Sequence, residues 1–92
     1  MDLAKLQQII LDRKANPKPG SYTNELFEKG SNKIAQKIGE EASEVIIAAL
    51  KEGKQQTIYE SADLLYHLLV LLADNGITIE EIYNELETRH GK

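Results

Sequence analysis

Five acids stand inside the two most hydrophobic stretches of this 92-residue chain: Glu40, Glu41 and Glu44 in IGEEASEVIIAAL, Glu60 and Asp63 in YESADLLYHLLVLL. A carboxylate leaving water for an apolar setting costs several kcal/mol unless something compensates it. Glu40 and Glu44 repel each other at i, i+4. Asp63 is a weak helix former with no lysine or arginine within a turn. Two pairs, Glu41-x-x-Glu44 and Glu60-x-x-Asp63, would be compensated together by a cation held between two helices. An oxygen-only ligand set suits a hard divalent ion, Mg2+ above all, which keeps part of its water shell and binds substrate phosphates. None of these glutamates is followed by histidine at i+3, the spacing of a di-iron bundle. Zinc would want histidine or cysteine, and the chain has no cysteine.

Structural readings compete with the metal. Glu60 stands three residues after Thr57, so TIYE also reads as a capping box. The Glu40, Glu41 and Glu44 run also reads as a solvated face. His67, four residues after Asp63, can satisfy that acid by an ion pair.

The elements that would position the acids are all helical. Leu3, Leu6, Ile9 and Ile10 predict an amphipathic helix over about residues 2–14, broken by NPKPGS at 16–21. TNELFEKG supports a turn or two of helix, stopped at Gly30. Ser31 is an N-cap candidate for a long helix through Ile34, Ile38, Ala42, Val45, Ile46 and Ala49 to a stop at Gly53. A third helix covers about 55–74 and ends at Asn75-Gly76. Thr78 with Glu81 forms a capping box that opens a last helix through Ile82, Tyr83 and Leu86. No strand pattern is present. The fold class is all-α: one domain over 1–92, a helical bundle with two long central helices. Both central helices are apolar over most of their circumference, more than a surface helix needs. The short terminal helices cannot cover them, so the core is expected to be completed by dimerisation, as a homodimer.

At about 100° per residue, Glu44 falls about 40° and Glu41 about 100° from Glu40, with Lys37 inside the same arc. On the third helix Asp63 and His67 fall beside Glu60. If a short connection at Gly53 makes these helices antiparallel, the two acidic stripes face each other across a crevice.

The chain's net charge is −4, and the five acids alone carry more than that. The acidity is therefore local, which suits a bound cation and argues against nucleic acid as a partner. MDLAKLQQII lacks the pattern of a secretory signal, and the longest apolar run, LLVLLA, is far short of a membrane span. A cytoplasmic protein with no membrane partner is expected.

The pattern EExxE, fifteen residues, then ExxD resembles the signature of the all-α nucleoside-triphosphate pyrophosphatase superfamily, the MazG-like and dimeric dUTPase-like proteins. More narrowly, GSYTNELFEKGSNKIAQKIGEEASEVIIAAL followed by ESADLLYHLLVLL resembles the phosphoribosyl-ATP pyrophosphohydrolase family over nearly the whole chain. The resemblance implies hydrolysis between the α and β phosphates of 1-(5-phosphoribosyl)-ATP, giving 1-(5-phosphoribosyl)-AMP and pyrophosphate, the second step of histidine biosynthesis. It implies Mg2+ on Glu41, Glu44, Glu60 and Asp63, with Glu40 a further ligand or supporting acid, and a dimer. It implies no companion cyclohydrolase domain within these residues.

For such a reaction Glu40 or Glu41 is the candidate acceptor of the water proton. Lys33 and Lys37 are candidates for phosphate oxygens, against the alternative of solvated helix lysines. Ser21, Tyr22 and Thr23 offer hydroxyls to phosphate or ribose, against turn and cap chemistry. Tyr66 and His67 are candidates for the base or ribose site, against core packing. Two other functions share the sequence features: a house-cleaning nucleoside-triphosphate pyrophosphatase with the same metal chemistry, and a non-catalytic dimeric adaptor whose acids are only solvated.

Overall fold

The computed structural model describes residues 1–91; Lys92, the last residue of the expected domain, lies outside the described residues. Five α-helices follow in order: α1 (Leu3–Ala15), α2 (Tyr22–Lys29), α3 (Ser31–Ile47), α4 (Lys54–Asp74) and α5 (Ile79–His90). Among the described residues there is no strand. α3 continues without a break into a π-helical segment, Ala48–Glu52, whose last bond runs from Gly53 N–H to the Ala48 carbonyl at 3.1 Å.

Two one-residue hinges set the topology. Gly30 joins α2 to α3 and Gly53 joins the π-helical segment to α4, at φ +89° and +93° with extended ψ. That backbone region is open to glycine and strongly disfavoured for residues with a Cβ. Gly53 turns the chain back on itself, and α3 and α4 form the most extensive helix contact in the molecule. Their pairings run in opposite directions. Ser31 meets Asp74 at one end, Glu41 meets His67 in the middle, and Glu44 lies beside Glu60 nearer the turn.

The caps follow the sequence with two exceptions. The Thr78–Glu81 capping box opens α5 as expected. α4 ends with Gly76 N–H on the Ala73 carbonyl at 3.2 Å and Ile77 N–H on the Leu72 carbonyl at 2.8 Å, a Schellman closure. Ser31, expected as the N-cap of α3, is instead its first helical residue; Gly30 holds the cap position. The Ser31 hydroxyl donates to Asp74 Oδ2 at 2.5 Å, so it ties helix to helix rather than capping. Thr57 does not cap either, because α4 begins three residues earlier, and its hydroxyl donates back to the Gly53 carbonyl at 2.7 Å.

The core lies at the end of the α3/α4 hairpin remote from Gly53. Ile34, Leu69, Val70 and Ala73 pack there against Ile10 of α1, Leu26 of α2 and Ile79 of α5. α5 leaves α4 at 108°, and no single helix among the described residues is long and apolar enough to cross a membrane. At the Gly53 end the hairpin is bare: Ile46, Ile47, Leu50, Ile58 and Tyr59 are 51–77% exposed.

Two buried amides clamp the peripheral helices. Asn24 Oδ1 accepts from Lys18 N–H at 2.9 Å while its Nδ2 donates to the Arg13 carbonyl at 2.7 Å, which fixes the Pro/Gly loop before α2. Gln7 of α1 donates to the Ile77 carbonyl at 3.1 Å and accepts from Ile79 N–H at 2.7 Å, across the α4–α5 turn. Truncating such a residue leaves two backbone groups without partners and a void. Gln7→Ala should lower stability by about 2 kcal/mol in urea unfolding at fixed protein concentration; a loss below about 0.5 kcal/mol would contradict this role for the clamp.

Candidate active site

The hairpin brings the acids together. Midway along the crevice between α3 and α4, Glu44 stands beside Glu60, Asp63 lies near Glu60, and Glu41 lies beside His67. Glu41 and Glu60 are buried, Asp63 is half-buried and Glu44 is exposed. Burial raises the Glu60 carboxyl pKa above the usual carboxylate value, the Glu44 carboxyl beside it raises it further, and Asp63 adds to the same effect; the Gln56 amide opposes it. Gln56 Nε2 reaches Glu60 Oε2 at 3.5 Å from one turn earlier on α4. Glu60 thus faces other acids across the crevice, and the capping-box reading of TIYE fails with the start of α4.

Glu41 is 5% exposed. Its Oε1 lies 2.8 Å from His67 Nδ1 and its Oε2 lies 4.0 Å from Lys37 Nζ. Nδ1 lies equally close, 2.8 Å, to the backbone carbonyl of Asp63. Glu41 Oε1 is buried and has no aligned hydrogen-bond donor. The competing structural reading paired His67 with the Asp63 carboxylate. The imidazole instead takes the Asp63 carbonyl and the Glu41 side chain, because a helical residue's i−4 carbonyl lies directly beneath it. That leaves the Asp63 carboxylate to the crevice.

Glu40 points away from this cluster. It is exposed and accepts from Gln36 Nε2 at 3.0 Å, with Lys37 Nζ at 3.7 Å. The Gln36 hydrogen bond, with Lys37 and Lys33 nearby, holds its carboxyl below the usual value. Burial acts to lower the Lys37 pKa, but Glu41, Tyr22 and Glu40 outweigh it, so the ammonium stays charged between the two acids. Gln36 and Gln56 were not singled out in the sequence. Their signal was present: each stands four residues before an acid, the spacing at which helical side chains meet.

α2 closes one side. Ser21 caps it, its hydroxyl accepting from Asn24 N–H at 3.3 Å. Tyr22 Oη meets His67 Nε2 at 2.9 Å, and the Thr23 hydroxyl meets Tyr66 Oη. The rings of Tyr22 and Tyr66 flank the imidazole edge-on, with centroids at 5.7 and 5.1 Å. Burial raises the Tyr22 pKa; Lys37 opposes this, while Glu41, Tyr66 and Asp63 add to it. Burial likewise raises Tyr66, against the Thr23 hydrogen bond. Both phenols therefore keep their protons.

The donor chemistry fits a hard divalent cation. All four crevice acids are oxygen donors, Glu60 is disfavoured as an anion where it stands, and Glu41 Oε1 is a buried carboxylate oxygen without an aligned donor. Among the described residues no three His, Asp or Glu side chains stand close enough together to hold a metal ion as the chain lies. Such an open set suits an ion that retains waters and takes further oxygens from a phosphate. A concavity at the end of α5, lined by Tyr83, Leu86, Glu87, His90 and Gly91, shares no residue with the crevice.

A family model described as phosphoribosyl-ATP pyrophosphohydrolase matches residues 3–90. The chain is 56% identical over 90 residues to the phosphoribosyl-ATP pyrophosphatase of Limosilactobacillus fermentum, covering 98% of this chain and 85% of that protein. It is 55% identical over 87 residues to the phosphoribosyl-ATP pyrophosphatase of Sulfurisphaera tokodaii, covering 95% and 93%. It is 56% identical over 90 residues to the histidine biosynthesis bifunctional protein HisIE of Caldanaerobacter subterraneus subsp. tengcongensis, and spans 44% of the length of that relative.

Proposed function

This chain belongs to the phosphoribosyl-ATP pyrophosphohydrolase family, and from that premise we propose that it cleaves the α–β phosphoanhydride of 1-(5-phosphoribosyl)-ATP, releasing 1-(5-phosphoribosyl)-AMP and pyrophosphate in the second step of histidine biosynthesis. The observation that carries the reading is the 56% identity, over 98% of this chain, to a relative named for that activity. The cofactor in this proposal is Mg2+, supported by the four facing acids. A cytoplasmic location is part of the same proposal.

When bound, Mg2+ would supply charge neutralisation of phosphate oxygens and acidification of a bound water. Glu41, Glu44, Glu60 and Asp63 would be its protein ligands. Lys37 presents its charged ammonium at the crevice edge, where a phosphate oxygen can replace the long contact with Glu41. Lys33 stands one turn earlier on the same helix. Of the two candidate proton acceptors, Glu40 is exposed and held below the usual carboxylate value by Gln36 and the nearby lysines, while Glu41 has a buried oxygen without an aligned donor. Thr23 and the phenols of Tyr22 and Tyr66 would border the ribose or base, and Ser21 sets the start of α2 beside them.

We also propose a homodimer. The bare Gly53 end of the hairpin exposes Ile46, Ile47, Leu50, Ile58 and Tyr59 together. A contiguous apolar surface of this kind marks an interface when a partner of matching shape is at hand, and a second copy supplies one.

Three outcomes are expected. Incubated with phosphoribosyl-ATP and Mg2+, the protein should release pyrophosphate as first product; orthophosphate would refute attack between the α and β phosphates, and a preference for dUTP or plain ATP would favour the house-cleaning activity. Asp63→Asn keeps the side-chain shape and removes a charge from a repelling cluster. It should cut activity about 10²-fold or more, melt no lower than wild type in chelator, and gain less thermal stability from Mg2+. A destabilised variant with an unchanged magnesium shift would mean that Asp63 is structural. Sedimentation on dilution should find folded dimer, and a compact helical monomer would remove the interface.

A further inference from the structure

His67 is 4% exposed, and neither ring nitrogen is open to a ligand. The Asp63 carbonyl can only accept, so its contact with Nδ1 assigns a ring N–H to that atom and leaves Nε2 as the partner of the Tyr22 hydroxyl. Nδ1 then has one proton and two acceptors at 2.8 Å, the Asp63 carbonyl and Glu41 Oε1. The carbonyl takes the aligned bond, and Glu41 Oε1 is left without one. The carboxylate is thereby located at Oε1 by a close electropositive edge. Its other oxygen faces Lys37. The flanking rings of Tyr22 and Tyr66 hold the imidazole plane.

We propose that Tyr22 and His67 are positioning residues for Glu41: the phenol fixes the imidazole, and the imidazole, against Oε1, fixes the buried carboxylate as a ligand for a divalent cation held between α3 and α4. The assignment rests on the metal reading given above and moves both residues from substrate contact to support of a ligand. It follows a general pattern in which groups behind a metal ligand set its orientation and change metal affinity about 10- to 100-fold when removed.

The test is calorimetric titration of the apo protein with Mg2+ alone, beside steady-state kinetics. His67→Gln carries its amide too far along the side chain to stand at Nδ1, whereas the Nδ2 of His67→Asn can occupy that place. His67→Gln should weaken Mg2+ binding about tenfold or more, and His67→Asn should restore most of it. Tyr22→Phe, which keeps the ring of a partly exposed residue, should weaken binding several-fold with an unchanged melting temperature in chelator. It decides the matter if a His67 variant does not fold. Unchanged Mg2+ affinity in Tyr22→Phe and in the folded His67 variants, with a raised KM for phosphoribosyl-ATP, overturns the proposal in favour of direct substrate contact. Equal loss in His67→Asn and His67→Gln also overturns it. If wild type itself binds no Mg2+, the metal reading fails first and takes this one with it.

Discussion

Carboxylates facing one another across α3 and α4 are the constraint around which the rest of the structure is arranged. Glu44 and Glu60 stand side by side, Asp63 adds its charge, and burial makes the ionised form of Glu60 more costly than it would be in water. Left to themselves, such groups would push the helices apart. They are held because both ends of the hairpin are fixed by other means. Gly53 sets the turn with a backbone conformation strongly disfavoured for residues with a Cβ, and the apolar cluster around Ile34, Val70 and Ala73 clamps the far end. The acids occupy the middle, where neither device reaches. Perturbed carboxylates of this kind cluster at functional sites.

The hairpin therefore has three zones with different chemistry. Its far end is covered by α1, α2 and α5 and supplies the core. Its middle is polar and lined by acids. Its turn end is apolar and uncovered. The same two helices thus carry packed core, acids and bare apolar surface at successive heights, which accounts for their being apolar on more than one side. The short outer helices are fastened by buried amides, Gln7 and Asn24, as well as by Ile10, Leu26 and Ile79 in the core. In a chain of this size a few such clamps replace core volume that it does not have.

α2 has a second task. Its first two residues lay Tyr22 and Thr23 against His67 and Tyr66, so the wall of the crevice is set by hydrogen bonds between side chains. A relative change between α2 and α4 would reach Glu41 through the imidazole. The family's pyrophosphatase chemistry asks for this kind of fixity, since phosphoryl transfer is promoted by charge stabilisation and alignment more than by covalent steps.

The sequence by itself determined the helices, most of their ends and the acids. Hydrophobic spacing and cap residues are local properties, and a helix is closed by bonds within four residues, so α1, α4 and the Thr78–Glu81 box were legible before any fold. The antiparallel pairing of α3 with α4, which sets Glu44 beside Glu60, was also legible once Gly53 is read as a turn. Only the tertiary structure decided the partners. That Ser31 bonds Asp74 rather than capping its helix, that His67 takes Glu41 and a carbonyl rather than the Asp63 carboxylate, and that Glu40 turns outward to Gln36 depends on distances between residues far apart in sequence or on a choice among neighbours of equal chemistry. Spacing limits which groups can meet. It does not rank an acid on the facing helix against one on the same helix; the register of α3 on α4 does that, and packing at the far end sets the register.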